Sequence, residues 1–285
     1  MAPDLFYPKG ARNTVHRKKE RASYALEPIH HLINRTPLSH VSFNPSPTDP
    51  FPTTLPMIAV TGSFERPSAS EAEVQDIYLH TYVSSRLANL ARAASSSSSS
   101  PSSSSTPDTT TTTTDDDSPP PGVPVSISAA IVDSLILSLT PMTHSYAYRS
   151  CTLHGLATLV PPSASAERLY AMRLITNKVV PSRYEHTRTP PDAAELASTA
   201  ILRVRVLDGS YKAKVAGVSD EKKDLEDEEV VGSVWTGVVP VKDVLGDPVP
   251  SKTNRVAEVP AYLGEFVTAR NDEVAEYAER LRGLA

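Results

Sequence analysis

The sequence predicts a mainly β domain with peripheral helices, and three observations carry that reading. Val123 to Val132 alternates strictly, with Val123, Val125, Ile127, Ala129 and Ile131 on one face, the period of a half-buried strand. Asp208-Gly209, flanked by Ala200 to Leu207 and Tyr211 to Val215, reads as a hairpin turn between two strands. No Gly-x-Gly-x-x-Gly, Gly-x-x-x-x-Gly-Lys-Ser/Thr, His-Glu-x-x-His or Gly-x-Ser-x-Gly occurs, which argues against a nucleotide-binding parallel sheet, a zinc hydrolase and a serine hydrolase.

Taken in chain order, Lys9 to Arg21 holds six Lys or Arg against one Glu and forms a basic arm over residues 1–23. Tyr24 to Arg35 places Leu26, Ile29, Leu32 and Ile33 at helical spacing. Its His30-His31 pair is set aside as a metal site, because adjacent helical residues diverge by about 100 degrees. Leu38 to Phe43 and Leu55 to Phe64 read as strands joined by a Pro-rich connection. Ile77 to Tyr82 alternates, with Ile77, Leu79 and Thr81 on one face and Tyr78, His80 and Tyr82 on the other; it runs straight into a helix marked by Leu87, Leu90 and Ala91.

Residues 93–121 are runs of Ser, Thr, Asp and Pro, a composition that cannot bury apolar surface and reads as a disordered insertion. Loop closure costs only logarithmically in length, so the insertion need not split the domain. Ser134 to Leu139 continues the alternating strand as a hairpin or a bulged extension. Ser163 to Val180 is the strongest helix, with Ala166, Leu169, Tyr170, Arg173, Leu174 and Asn177 as its stripe, ended by Pro181. A shorter helix spans about Asp192 to Thr199. Asp220 to Glu229 packs seven acidic residues against two Lys within a solvated acidic loop, residues 218–232. Val234 to Val241 reads as the last barrel strand, and residues 251–285 as a helical extension, leaving 24–250 as the main domain.

Composition bounds the class. With 285 residues, 39% hydrophobic and 21% charged at a net charge of -5, the chain suits a globular protein with one good core. A net acidic chain argues against a general nucleic-acid binder. Cys151 is the single cysteine, so no intrachain disulfide is possible and its setting in a strand marks a small buried hydrophobe. With no signal-peptide h-region and no stretch approaching 18 apolar residues, the expectation is a cytoplasmic protein that does not enter a membrane, the basic arm being a weak nuclear-localisation match.

The candidate chemistry starts at Ser84-Ser85-Arg86, where strand meets helix. Free N–H groups, the positive end of the helix dipole, two hydroxyls and a guanidinium suit a phosphate there. The alternative is that Ser84 only caps the helix and Arg86 is solvated. A second polar cluster, His144 to Gly155, opens the strand that ends in Leu156 to Val160.

The ordered set of Leu79-His80, Ser85-Arg86 opening a helix, the long Val-rich strand, Ser145-Tyr-Ala-Tyr148-Arg149-Ser150, and a strand with Gly155 resembles the FMN-binding split β-barrel proteins related to pyridoxamine-phosphate oxidase. Within these it is most similar to the flavin-nucleotide-binding branch that includes nitroimidazole-resistance reductases. Pro56-Met57-Ile58, Val179 to Arg183, Ala213-Lys214-Val215 and Val234 to Pro240 extend the match to about residues 8–245.

The resemblance implies a homodimer with two FMN sites across the subunit interface and a flavin-dependent oxidoreductase acting on a small molecule. It places Ser85 and Arg86 on one side of the phosphate and Tyr148, Arg149 and Ser150 on the other. His80 then faces this cradle, Arg17 lies close to the flavin, and backbone groups of Pro56, Met57 and Ile58 wall the ring, although any buried strand would look the same. Trp235 is a flavin-edge aromatic or a core residue. Thr81-Tyr82 replaces the branch's Gly-Ser, and the chain lacks the Arg-Leu-x-Pro terminus of true pyridoxamine-phosphate oxidases, so vitamin B6 synthesis is disfavoured. Rival expectations are a non-catalytic flavin carrier or sensor, and a haem-binding split barrel with His80, His144 or His154 as axial ligand.

Overall fold

The computed structural model describes residues 5–46, 48–97, 122–215 and 217–283. The basic arm is tied to the sheet: after a 3-10 turn at Lys19–Arg21, strand β1 (Ala22–Ser23) pairs antiparallel with β8 (Thr199–Lys214). Helix α1 (Leu26–Arg35) follows, with Glu27 in its first turn and Arg35 in its last, the signs its dipole favours. Leu26, Ile29, Leu32 and Ile33, the stripe expected from sequence, are all at most 2% exposed. They pack with Val41, Ile77, Leu79, Ile127, Leu153 and Leu202 in the main core. Fully burying each such side chain is worth about 1.5–3 kcal/mol.

The other strands are β2 (Ser39–Phe43), β3 (Thr53–Met57), β4 (Ala59–Gly62), β5 (Asp76–Tyr82), β6 (Val123–Leu137), β7 (Ser145–Leu159) and β9 (Gly237–Pro240). Their path is β3-β2-β6-β7-β8-β5-β4. The two ends of that path, β3 and β4, are consecutive in the chain and separated only by Ile58. One stretch expected as a single strand, Leu55 to Phe64, is therefore divided: its first half edges one side of the sheet and its second half the other. This is the split β-barrel, a mainly β fold with peripheral helices.

Two further strand readings are corrected. Asp208-Gly209 is no hairpin turn, because β8 runs through it unbroken and takes up the extra residue as a bulge opposite His154 and Gly155. Gly209 is needed there because its α-carbon faces Leu153 and the Thr152 carbonyl, 3.1 Å from where a Cβ would stand. Of the two readings of Ser134 to Leu139, β6 takes the bulged strand, its irregularity lying between Val132 and Ser134. The expected last barrel strand shrinks to β9, four residues pairing with the far end of β6.

Helix α2 (Arg86–Ser97) buries Leu87, Ala88 and Ala91, so the Ser-rich stretch begins as helix; the rest of the expected insertion, from residue 98 to 121, lies outside the described residues. Helix α3 (Ser165–Val179) lies on the far side of β4, β5 and β8, where Ala171 and Ile175 meet Val60, Tyr78 and Ile201. Its buried line is Glu167, Ala171 and Ile175, rotated from the expected stripe. Glu167 turns inward because its Oε1 accepts from the Tyr78 hydroxyl and Arg203 Nη1, both at 3.1 Å.

Helix α4 (Ala193–Ser198) starts at Asp192 with a reciprocal capping box to Glu195. The acidic loop contains two short helices, α5 (Lys222–Leu225) and α6 (Glu228–Ser233), the second capped by Asp227. Helix α7 (Ala261–Arg282) covers one end of the barrel. No helix among the described residues is long and apolar enough to cross a membrane.

Candidate functional site

Side chains alternate across the long strands, so the residues between the core positions form an outer face. The register places Thr54, Ser42, Ser126, His154 and Asp208 in one row across β3, β2, β6, β7 and β8. Pro56, His40, Ser128, Thr152 and Ser210 form the next row. Beyond them Ser150 stands opposite Lys212 and Tyr148 opposite Lys214. The floor carries hydroxyls on several strands and is flanked by cations at both ends.

At one margin, β5 runs into α2. Ser85 caps that helix, its Oγ accepting the Ala88 N–H at 3.2 Å. Arg86 is exposed, and Nη1 reaches Thr53 Oγ1 at 3.4 Å, where β3 begins. No carboxylate among the described residues pairs with it, so most of its donors are available to a ligand. At the other margin Lys212 Nζ donates to the Arg17 carbonyl at 2.9 Å. Partial burial, then the charges of Arg21 and Lys18, holds the Lys214 ammonium below the usual lysine range. A cluster of cations with so little counter-charge suits an anion.

Between these margins stands a group the sequence did not disclose. Asp208, 5% exposed, accepts Arg12 Nε at 2.6 Å on one oxygen and meets His154 Nδ1 at 2.9 Å on the other. With Arg12 also donating to it, the carboxylate is the acceptor, so the imidazole donates from Nδ1 and the neutral ring has its lone pair on Nε2. His154 lines a cavity of about 410 Å³ with Arg12, Ser42, Pro52, Ser126 and Leu156. Nothing in sequence spacing links positions 12, 154 and 208; only the bulge that carries Asp208 outward beside His154 brings them together.

Of the residues proposed from sequence, Pro56, Tyr148 and Ser150 share this face, Ser85 and Arg86 border it, and Arg17 approaches it through its backbone. Met57 does not: it is 8% exposed and belongs to the core. Arg149 also departs from the expected cradle. Strand alternation turns it to the opposite face from Tyr148 and Ser150, where it forks onto Asp133 (Nη2 to Oδ1 2.8 Å, Nε to Oδ2 3.1 Å) beneath the ring of Tyr277. Trp235 is 67% exposed in the segment before β9, its ring against Gly237; it lines none of the cavities described here and is not a core residue.

His80 and Ile58 meet elsewhere. They line a cavity of about 680 Å³ between α3 and the β5 and β8 ends, with Met172, Ile175, Val179 and Ile201 as apolar walls and Arg183 and Arg188 beside them. His80 is open on one side, yet burial against these walls keeps its pKa below the usual histidine value. Arg188 is held by Glu195 at 2.6 Å, whereas Arg183 donates to the Tyr262 hydroxyl at 2.5 Å and has no carboxylate partner among the described residues. The apolar α3 residues on this cavity, Met172, Ile175 and Val179, lie off the stripe expected from the sequence. His144 stands apart from both cavities, its Nδ1 against the Thr140 carbonyl. His30 is buried in the core, bridging the Tyr7 hydroxyl and the Glu71 carbonyl.

A family model described as pyridoxamine 5'-phosphate oxidase matches residues 104–213. In fold the chain is similar to an FAD- and haem-binding protein from Mycobacterium smegmatis, at 20% identity and a TM-score of 0.63, covering 87% of this chain and 97% of that one. It is also similar to a flavocytochrome from Azotobacter vinelandii, at 19% identity and a TM-score of 0.62, covering 90% and 97%. No curated protein matches in sequence. Over residues 104–213 the chain thus resembles the pyridoxamine 5'-phosphate oxidase family, and the fold of the whole is the split β-barrel of these two structures.

Proposed function

We propose that this protein binds a flavin nucleotide, FMN by the resemblance, on the outer face of the sheet, and acts as an oxidoreductase on a small molecule. The observation that carries the reading is the hydroxyl-bearing floor running between Arg86 with the α2 N-terminus and the Lys212–Lys214 margin. Such a surface fits a ligand with a flat polar ring and an anionic tail. Arg86 and the open N–H groups of α2 would hold the phosphate, and the floor hydroxyls would offer hydrogen bonds to the ring. A bound flavin would supply two-electron chemistry at its ring. His154, fixed by Asp208, holds or releases a proton at Nε2. A second copy laid over this face would exclude water, which makes the homodimer part of the proposal.

Titrating FMN, FAD and riboflavin against wild type and Arg86→Ala tests this. A hydrogen bond to a charged partner is worth about 1.5–3 kcal/mol, so the variant is expected to bind FMN about 10- to 150-fold more weakly while riboflavin, without a phosphate, is unaffected. An unchanged FMN constant rejects the phosphate role. Bleaching of the flavin bands by NAD(P)H separates an enzyme from a carrier.

A specific observation favours haem as a second ligand. The His80 cavity offers an imidazole on apolar walls with a guanidinium at Arg183; His80 would hold the haem iron and Arg183 a propionate. The expected result is a Soret band on haem addition that His80→Ala abolishes and His154→Ala preserves. A Soret band that survives His80→Ala would reject this assignment.

A further inference from the structure

A cavity of about 850 Å³ opens between the end of α1, the second half of α3 and α7, and no role above uses it. Its apolar side is Ile58, Val60, Leu174 and Phe266, while Arg35, Lys178 and Arg270 supply three cations against two carboxylates, Asp243 and Glu273. The charges do not pair off. Arg35, 16% exposed, takes Glu273 Oε1 at 3.1 Å, and Arg270, 15% exposed, is left with Glu273 Oε2 at 3.9 Å, beyond hydrogen-bond range. Arg270 Nη1 is buried without any hydrogen-bond partner. Glu273 itself is half in solvent, and Asp243 is exposed.

Lys178 is already committed, donating to the Ile33 and Ala59 carbonyls. These bonds leave its charge in place but occupy its donors, so the donors left for an incoming anion are those of the guanidiniums. Buried donors are almost always satisfied, and an orphan guanidinium N–H in a lined cavity points to an acceptor supplied from outside the chain.

We propose that this cavity binds a small organic monoanion with an apolar body, its carboxylate on Arg270 and Arg35 and its carbon chain on Ile58, Val60, Leu174 and Phe266. A surplus of one charge matches a carboxylate better than a phosphate dianion. The same Ile58 lines the His80 cavity, so the occupant would touch a wall of that chamber without entering it. The site is independent of whether flavin or haem binds.

Calorimetric titration of the full-length protein with octanoate, and with octanol as the uncharged control, tests the proposal. Octanoate is expected to bind saturably, in the range of about 0.1–1 mM for so small a ligand, with octanol at least about tenfold weaker, as loss of one charge-assisted hydrogen bond implies. Arg270→Gln should cost a similar factor, whereas Arg282→Gln, on the exposed side of α7, should change nothing. Should Arg270→Gln fold poorly, nuclear Overhauser contacts from octanoate methylenes to the Leu174 and Ile58 methyls in the wild type report the same site. Absence of saturable binding, equal binding of octanol, an unaltered constant in folded Arg270→Gln, or contacts to other methyls would each overturn it.

Discussion

Asp133→Ala is expected to destabilise the protein by about 3 kcal/mol, the lower end of the 3–5 kcal/mol seen when one partner of a buried pair is removed. The lower end applies because Arg149 is 23% exposed and can draw on water once abandoned. Arg149→Ala should cost more, about 4–5 kcal/mol, because it strands a carboxylate that is only 4% exposed. Asp133 also accepts the Tyr277 hydroxyl at 3.4 Å, and Tyr277 lies over the Arg149 guanidinium at 4.5 Å. Loosening of α7 should therefore accompany the loss, visible as faster proteolysis within 261–282. Chemical denaturation of both variants and of Asp133→Leu/Arg149→Met checks the account: the double replacement should recover most of the loss, since exchanging a buried pair for apolar residues is often neutral. A cost below about 1 kcal/mol for Arg149→Ala would mean that the pair is not what anchors this end.

Gly155→Ala is the second large effect, at about 1–3 kcal/mol or more. A Cβ added there would lie 2.5 Å from the Arg205 carbonyl oxygen and 2.7 Å from Val204 Cγ1. The side chain could yield, but the carbonyl belongs to the β7–β8 ladder beside the bulge and cannot retreat without breaking it. Thermal unfolding of Gly155→Ala should show the loss, and Gly264→Ala, with nothing within 4 Å of the added atom, should show none. Equal melting of the two would exclude close strand contact at Gly155.

Much of this architecture was legible because periodicity reports burial. Alternation fixed the faces of β5 and β6, and the spacing of Leu26, Ile29, Leu32 and Ile33 named the buried side of α1 correctly. What failed were features decided by tertiary contact. Asp-Gly has the chemistry of a turn, yet in β8 the Gly serves close packing against Leu153 and the Asp serves Arg12 and His154. Helix α3 shows the same conflict, since Glu167 reads as a surface residue until Arg203 and Tyr78 turn it inward.

The site divides similarly. Ser85, not Ser84, accepts the Ala88 N–H as the helix cap. The resemblance groups Tyr148, Arg149 and Ser150, but strand parity leaves only Tyr148 and Ser150 on one face. Arg149 is of a residue type that suits phosphate, but the same parity sends it through the sheet to Asp133, a partner 16 residues away across the β6–β7 pair. The His80 chamber needs α3, the turn at Tyr184–His186 and α4 to assemble around it, and no local motif encodes that meeting.

The junction at Ile58 gives the fold a mechanical property. One residue joins the two rims of the barrel, so its φ and ψ are the soft coordinates by which β3 can swing relative to β4 while each keeps its own ladder. β3 borders the hydroxyl-bearing surface, and the Ile58 side chain walls both the chamber holding His80 and the one holding Arg270. Ile58 is thus a partition: one side chain separates two chambers, one residue away from the strand that edges the hydroxyl-bearing surface.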